Sequence, residues 1–161
     1  MTSGSETRLP AVDRQHTAAD YLAIIDDVQA TRPEIAISSD VIDGEPGDTD
    51  ADFEATLDLI RAVDYAQAYS FKYSPRPGTP ASGMEDAVPE EVKSDRLAQL
   101  QDVVNAQQMA FNETFIGRSV PVLLDRRGRS GSQLAGRSPW MHAVHVDFGD
   151  AAAADAAYGK T

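Results

Sequence analysis

The chain contains no cysteine. That excludes disulfides, cysteine nucleophiles and any iron–sulfur cluster held by thiolates of this chain, and it fits a cytosolic setting. No apolar run approaches the ~20 residues that a membrane span requires. Residues 1–10 lack the apolar core of a signal peptide, and the chain has no internal repeat. No catalytic residue and no metal site can be assigned from spacing; His16 stands at a helix start with no partner at metal-ligand spacing. What the chain does have is 161 residues, 42% of them hydrophobic. That is enough for a packed core, in one domain or one domain and a small second.

Charge is unevenly placed. The net charge is −12. Residues 1–113 hold 8 Lys/Arg and 22 Asp/Glu, whereas residues 114–161 hold 6 and 4. Between 114 and 146 five arginines face one acid, Asp125. A basic segment on an acidic body is where a polyanion would bind, although arginines also simply solubilise a small β unit.

In order along the chain, Thr17 with Asp20 forms a short capping box opening a helix whose apolar stripe is Tyr21, Leu22, Ile25 and Val28. Thr31-Arg32-Pro33 ends it. Residues 34–43 read as a strand and 44–48 as a turn. Thr49 and Asp52 cap a second helix carrying Phe53, Leu57, Ile60 and Val63. A strand follows, with Tyr65, Tyr69, Phe71 and Tyr73 at period two on one face. It runs into Ser74 to Pro80, where three prolines and Gly78 impose a stiff loop bearing Arg76. Such a loop at a strand end is either a ligand contact or a tight connector. The alternation of helix and strand predicts parallel β/α units.

Pro89-Glu90-Glu91 opens a long helix to about Thr114, with Val92, Leu97, Leu100, Val104 and Phe111 on its packed side. Beyond Gly117 the pattern predicts strands over 119–124, 133–135 and 140–148, with Arg126 to Gly131 as a turn. The alanine-rich stretch 149–161 predicts a disordered tail.

Several stretches carry a family resemblance. Ser3-Gly4-Ser5-Glu6, Arg14-Gln15-His16-Thr17, Asp40 to Thr49, Tyr69 to Ala81, Pro89 to Lys93, Gly117-Arg118 and Gly136-Arg137-Ser138 occur in one order over roughly residues 2–148. Together they resemble the C-terminal part of bacterial radical S-adenosylmethionine tRNA methylthiotransferases. Tyr69 to Ala81 resembles the family's Phe-x-Tyr-Ser-x-Arg-Pro-Gly-Thr-x-Ala motif most closely. Arg76-Pro77 and Gly136 to Pro139 resemble the members acting on isopentenyladenosine next to the anticodon.

The resemblance implies an α/β fold. Its parts would be a partial (β/α) radical-SAM-type barrel half (1–83), a linking long helix (84–116) and a truncated, antiparallel TRAM-like RNA-binding domain (117–148). It implies a cytoplasmic transferase using S-adenosylmethionine and two 4Fe-4S clusters, with tRNA as partner. Ser3, Ser5, Gly44, Asp48 and Arg76 would bind S-adenosylmethionine. Arg118, Arg126, Arg127, Arg129, Arg137 and Trp140 would bind RNA, Trp140 serving either as core or as a stacking ring.

The chain departs from the pattern. The cluster cysteines and the first barrel strands are missing, and Asp43 and Glu45 stand where the family has an aliphatic residue and Phe. A buried carboxylate at 43 predicts a shifted pKa or a local rearrangement. An open half-barrel predicts exposed strand edges and one exposed apolar face. Three roles follow: an enzyme fragment inactive alone, a non-catalytic tRNA-binding module, or a partner subunit of a split barrel completed by the missing N-terminal half.

Overall fold

A computed structural model describes Ser5 and residues 17–78, 80–84 and 86–161. The chain forms two compact units, residues 1–110 and 111–161. In the first, helix α1 (Ala18–Thr31) leads to strand β1 (Ser38–Asp43), helix α2 (Asp50–Val63), strand β2 (Gln67–Lys72) and the long helix α3 (Glu90–Glu113). The predicted caps are present. Thr17 Oγ1 accepts from the Asp20 amide at 3.0 Å, and the Asp20 carboxylate accepts from the Thr17 amide at 3.0 Å. Thr49 and Asp52 repeat the arrangement at 3.2 and 2.9 Å.

Strands β1 and β2 pair in parallel, Ser38 opposite Gln67 through Asp43 opposite Lys72. Among the described residues, the buried apolar cluster lies on one face of this pair. Val41 of β1 belongs to one buried cluster with Phe53, Leu57, Ile60 and Val63 of α2, Ile25 of α1, and Leu100 and Val104 of α3. Helix α2 thus buries the whole predicted stripe. In α3 the buried set is Leu100, Val104 and a charged residue, Arg96. The other face carries Ile42, Tyr69 and Phe71, all exposed.

Tyr65 does not share the face of Tyr69 and Phe71. It precedes β2, after Asp64 in the left-handed region (φ 55°). It is fully buried, and its hydroxyl lies 2.9 Å from that of Tyr21.

In the second unit, β3 (Leu123–Arg127), β4 (Gln133–Arg137) and β5 (Ala143–Asp147) form an antiparallel sheet in that order. Leu124 and Leu134 centre its core, with Val122, Val146 and Phe148 beside them. Gly136 lies against the Leu123 carbonyl so closely that any Cβ would collide with that backbone.

Two expectations about this unit are corrected. Arg126 and Arg127 belong to β3 and not to a turn, because a bulge between Leu124 and Arg126 resets the alternation by one residue. The segment expected as a disordered tail contains helix α4 (Ala151–Ala157). Asp150 caps it, accepting from the Ala153 amide at 2.8 Å, and Ala154 is fully buried against the sheet core. Beyond it, the Gly159 amide donates to the Leu124 carbonyl at 2.7 Å and the Leu124 amide to the Lys160 carbonyl at 3.0 Å, covering the edge of β3. A seven-residue alanine helix has no apolar stripe to read; its stability is tertiary.

Leu134→Ala is expected to cost about 2–5 kcal/mol, and Asp150→Ala about 1 kcal/mol. Both should appear as faster hydrogen exchange of the β4 amides. Unchanged protection in Asp150→Ala would mean that α4 contributes nothing to the sheet.

Candidate functional site

Where β1 and β2 end, the outward face opens into a concavity of about 750 Å³. Period-two alternation delivers Asp40 and Ile42 from β1 and Phe71 from β2 to this side. Glu45 from the turn, then Lys72, Tyr73, Ser74 and Arg76, complete the described lining. The lining therefore combines apolar and aromatic surface with carboxylates and cations. The ends of parallel strands are where α/β folds bind ligands.

The turn at 44–48 is built to hold one shape. Gly44 and Gly47 take φ of 83° and 82°. The Glu45 amide donates to Asp48 Oδ2 at 2.9 Å, and the Asp48 amide to the Glu45 carbonyl at 3.0 Å. The Gly47 amide donates to the Asp86 carbonyl at 2.7 Å. A Cβ on Gly44 would fall on Cγ and Cδ of Lys93, which lies across it. Lys93 Nζ sits 2.8 Å from Glu90 Oε2, and Lys72 pairs with the other oxygen of Glu90. Hydrogen bonds from Lys72, then Lys93, lower the Glu90 carboxyl to about 2.

Behind the turn lies a pair that spacing did not single out together. Asp43 is 6% exposed and Arg96 5%. Arg96 Nη2 donates to Asp50 Oδ1 at 2.7 Å, and its guanidinium lies 5.4 Å from the centre of the Phe53 ring. Burial raises Asp43 to about 6; Arg96 opposes the rise and Asp48 adds to it. Position 43, the last residue of β1, therefore carries a carboxyl whose pKa burial shifts upward directly before the turn. Arg96 was legible only as a charge in register with Leu100 and Val104 on the buried side of α3.

The predicted ligand residues separate into roles. Arg76 lines the concavity. Gly44 and Asp48 shape the turn that presents Glu45 to it. Ser5 is buried and its hydroxyl donates to the Asp52 carboxylate at the start of α2. Ser3 lies outside the described residues.

The predicted RNA residues also separate. Arg126, Ala135 and His145 stand opposite one another across the three strands, on the face away from Leu124 and Leu134, and Arg137 stands opposite Ala143 on the same face. Arg129 is exposed in the β3–β4 turn. Arg127 is engaged, paired with Asp155 and 5.0 Å from the centre of the Tyr158 ring. Arg118 lies over the Phe115 ring at 5.3 Å. Trp140 packs 5.0 Å from Phe115, within a cluster that includes Phe111 and His142. His142 Nδ1 lies 2.8 Å from the Ser138 hydroxyl, and burial lowers its pKa below the ordinary histidine value.

No family model matches the chain. Curated relatives do. The chain is 59% identical over 147 residues to the tRNA-2-methylthio-N(6)-dimethylallyladenosine synthase of Maricaulis maris, a match covering 91% of this chain and 32% of that protein. The proteins of the same name from Wolbachia pipientis and Sphingopyxis alaskensis are 52% and 51% identical, over 93% and 91% of this chain and 34% and 33% of their own lengths. The chain belongs to this family, as a C-terminal stretch of it. It spans about a third of the length of the synthases it matches. Among the described residues no group of three or more potential ligands is placed to hold a metal ion, and no helix is long and apolar enough to cross a membrane.

Gly44→Ala is expected to destabilise the first unit by about 1 kcal/mol or more, because the new Cβ meets Lys93 and the backbone is left-handed. A melting temperature equal to that of the parent chain would show that the turn can relax without cost.

Proposed function

We propose that this chain is part of an enzyme that adds a methylthio group to N6-dimethylallyladenosine in tRNA, and that it supplies a surface for S-adenosylmethionine and another for tRNA. The observation that carries the reading is the concavity joining the 44–48 turn to Arg76 at the ends of two parallel strands. Its lining fits the cofactor. Arg76 suits a carboxylate, Asp40 and Glu45 suit a cationic centre, and Phe71 and Tyr73 offer ring faces to a cation or a planar base. S-adenosylmethionine, together with 4Fe-4S clusters, would supply the radical and methyl chemistry. This chain's own residues bind and orient; a chain without cysteine provides no thiolate for either cluster. The sheet therefore reads as half of a radical-SAM-type β/α barrel, and the second unit as a TRAM-like domain.

For tRNA, we take Arg126, Arg137 and Arg129 as the phosphate-contacting residues, with Arg127, paired with Asp155, serving the fold. Binding by such a patch weakens steeply with salt. The triple change of Arg126, Arg129 and Arg137 to Ala is expected to abolish tRNA retention at low salt while preserving the fold. Arg127→Ala is expected to lower stability more than affinity. Retention unchanged in the triple variant, measured by filter binding across a salt series, would refute the tRNA surface. The purified chain, given iron, sulfide, S-adenosylmethionine and tRNA, is expected to form no methylthiolated nucleoside; product by mass spectrometry would overturn its assignment as only part of the catalytic apparatus.

A second reading rests on the open face. Tyr69 and Phe71 are 47% and 52% exposed beside Ile42, and among the described residues β1 and β2 pair only with each other. A cysteine-bearing partner, or further barrel strands, would cover that face and pair those edges. Copurification of such a partner is the expected result; a chain that stays monomeric beside it would count against this reading.

A further inference from the structure

The turn between β4 and β5 is gathered on one side chain. Ser138 is buried, and its hydroxyl oxygen accepts from the Trp140 and His142 amides, both at 3.3 Å. The main chain closes the same turn. The Ser138 amide donates to the His142 carbonyl at 3.2 Å, and the Met141 amide to the Ser138 carbonyl at 3.0 Å. Met141 is held in the left-handed region, φ 68°, which a side chain such as methionine adopts only where its surroundings enforce it. Its carbonyl accepts from Arg137 Nη1 at 3.3 Å. Turn and guanidinium are therefore one assembly.

That count of hydrogen bonds fixes a proton. A hydroxyl has one proton to give and two lone pairs. The two amides occupy the lone pairs, so the proton goes to the remaining neighbour, His142 Nδ1, at 2.8 Å. Nδ1 is then an acceptor, and the neutral ring carries its hydrogen on Nε2. That Nε2 is buried without a hydrogen-bond partner, and the ring packs 4.4 Å from Phe115 and 5.5 Å from Phe111, centre to centre. A second ring proton would enter at Nδ1 and meet an oxygen whose lone pairs are already taken, in largely apolar surroundings.

We propose that His142 is a positioning residue for Arg137: the neutral ring latches the 138–142 turn through Ser138, and protonation opens the latch and releases the guanidinium from the Met141 carbonyl. The role of Arg137 at phosphate rests on the tRNA reading above; the latch is tested without tRNA, so the two can fail separately. The charged groups on the elements around the ring are Arg118, over Phe115 at 5.3 Å, the exposed Glu113 between the two phenylalanines, Arg137 on β4, and His145 and Asp147 on β5. Burial lowers the affinity of the ring for a proton, so its folded value lies below the ordinary 6.5 and the unfolded chain holds the proton more tightly. Stability from this group is full above the ordinary value and is lost as pH falls from there through the folded one.

The test follows the ring nitrogens of His142 and the side-chain resonances of Arg137 by NMR in the full chain over about pH 4.5 to 8, with Trp140 emission read in the same samples. At the upper end Nδ1 is expected to be the unprotonated nitrogen. On acidification the Arg137 resonances and the indole emission are expected to shift with the midpoint of the ring, below 6.5. Ser138→Ala removes the donor to Nδ1 and is expected to raise that midpoint by about half a pH unit. His142→Asn keeps an acceptor two bonds beyond Cβ, where Nδ1 stood, but does not titrate; in it the Arg137 resonances and the emission are expected to be indifferent to pH over this range. A neutral ring protonated on Nδ1, Arg137 resonances unmoved while the ring titrates, or the same shifts persisting in His142→Asn, would overturn the latch.

Discussion

Among the described residues, helices cover only one face of the β1–β2 pair, and much of the first unit follows from that asymmetry. Val41, Ile60 and Leu100 are wholly removed from water on the covered side, where burial of apolar area drives folding. The uncovered side keeps Ile42, Tyr69 and Phe71 in solvent. The same alternation that fills the core therefore populates the outer face with apolar and charged side chains at the strand ends. Structure and candidate site are two outcomes of one period-two pattern.

Where that pattern meets a carboxylate, the protein compensates. Position 43 is on the covered side, next to Val41, so its side chain is directed into the helix layer. Burying a charge without a partner is among the costlier things a fold can do. Here the raised carboxyl pKa and the neighbouring Arg96 share the burden. The cost falls beside the turn and leaves the sheet unaffected, and β1 keeps its full register with β2.

Most of the first unit was legible because its signals are local. Thr17 and Thr49 announce their helices through a side chain three residues on, and Phe53 to Val63 spells one face of a helix. Tyr65 was misread because period two extends through a residue that the left-handed Asp64 had already taken out of the strand. In the second unit the signals are long-range. The bulge at Asp125 and the docking of α4 depend on what lies across the sheet, and neither leaves a mark in the neighbouring sequence. The concavity was visible in Arg76 and the glycine turn, yet Asp40 and Phe71 enter it only through strand register. Arg127 and Arg129, two positions apart, look alike in sequence; only Tyr158 and Asp155 tell them apart.

Trp140 is the chain's one tryptophan, and its ring stacks at a tilt on Phe115 inside the second unit. Indole fluorescence is consequently a local optical probe. Excited selectively, it reports the melting of the strand-rich unit and is blind to the helical one, whose own chromophores include the hydroxyl-paired Tyr21 and Tyr65. A denaturation curve followed by indole emission alone therefore describes residues 111–161 and leaves the melting of residues 1–110 to another probe.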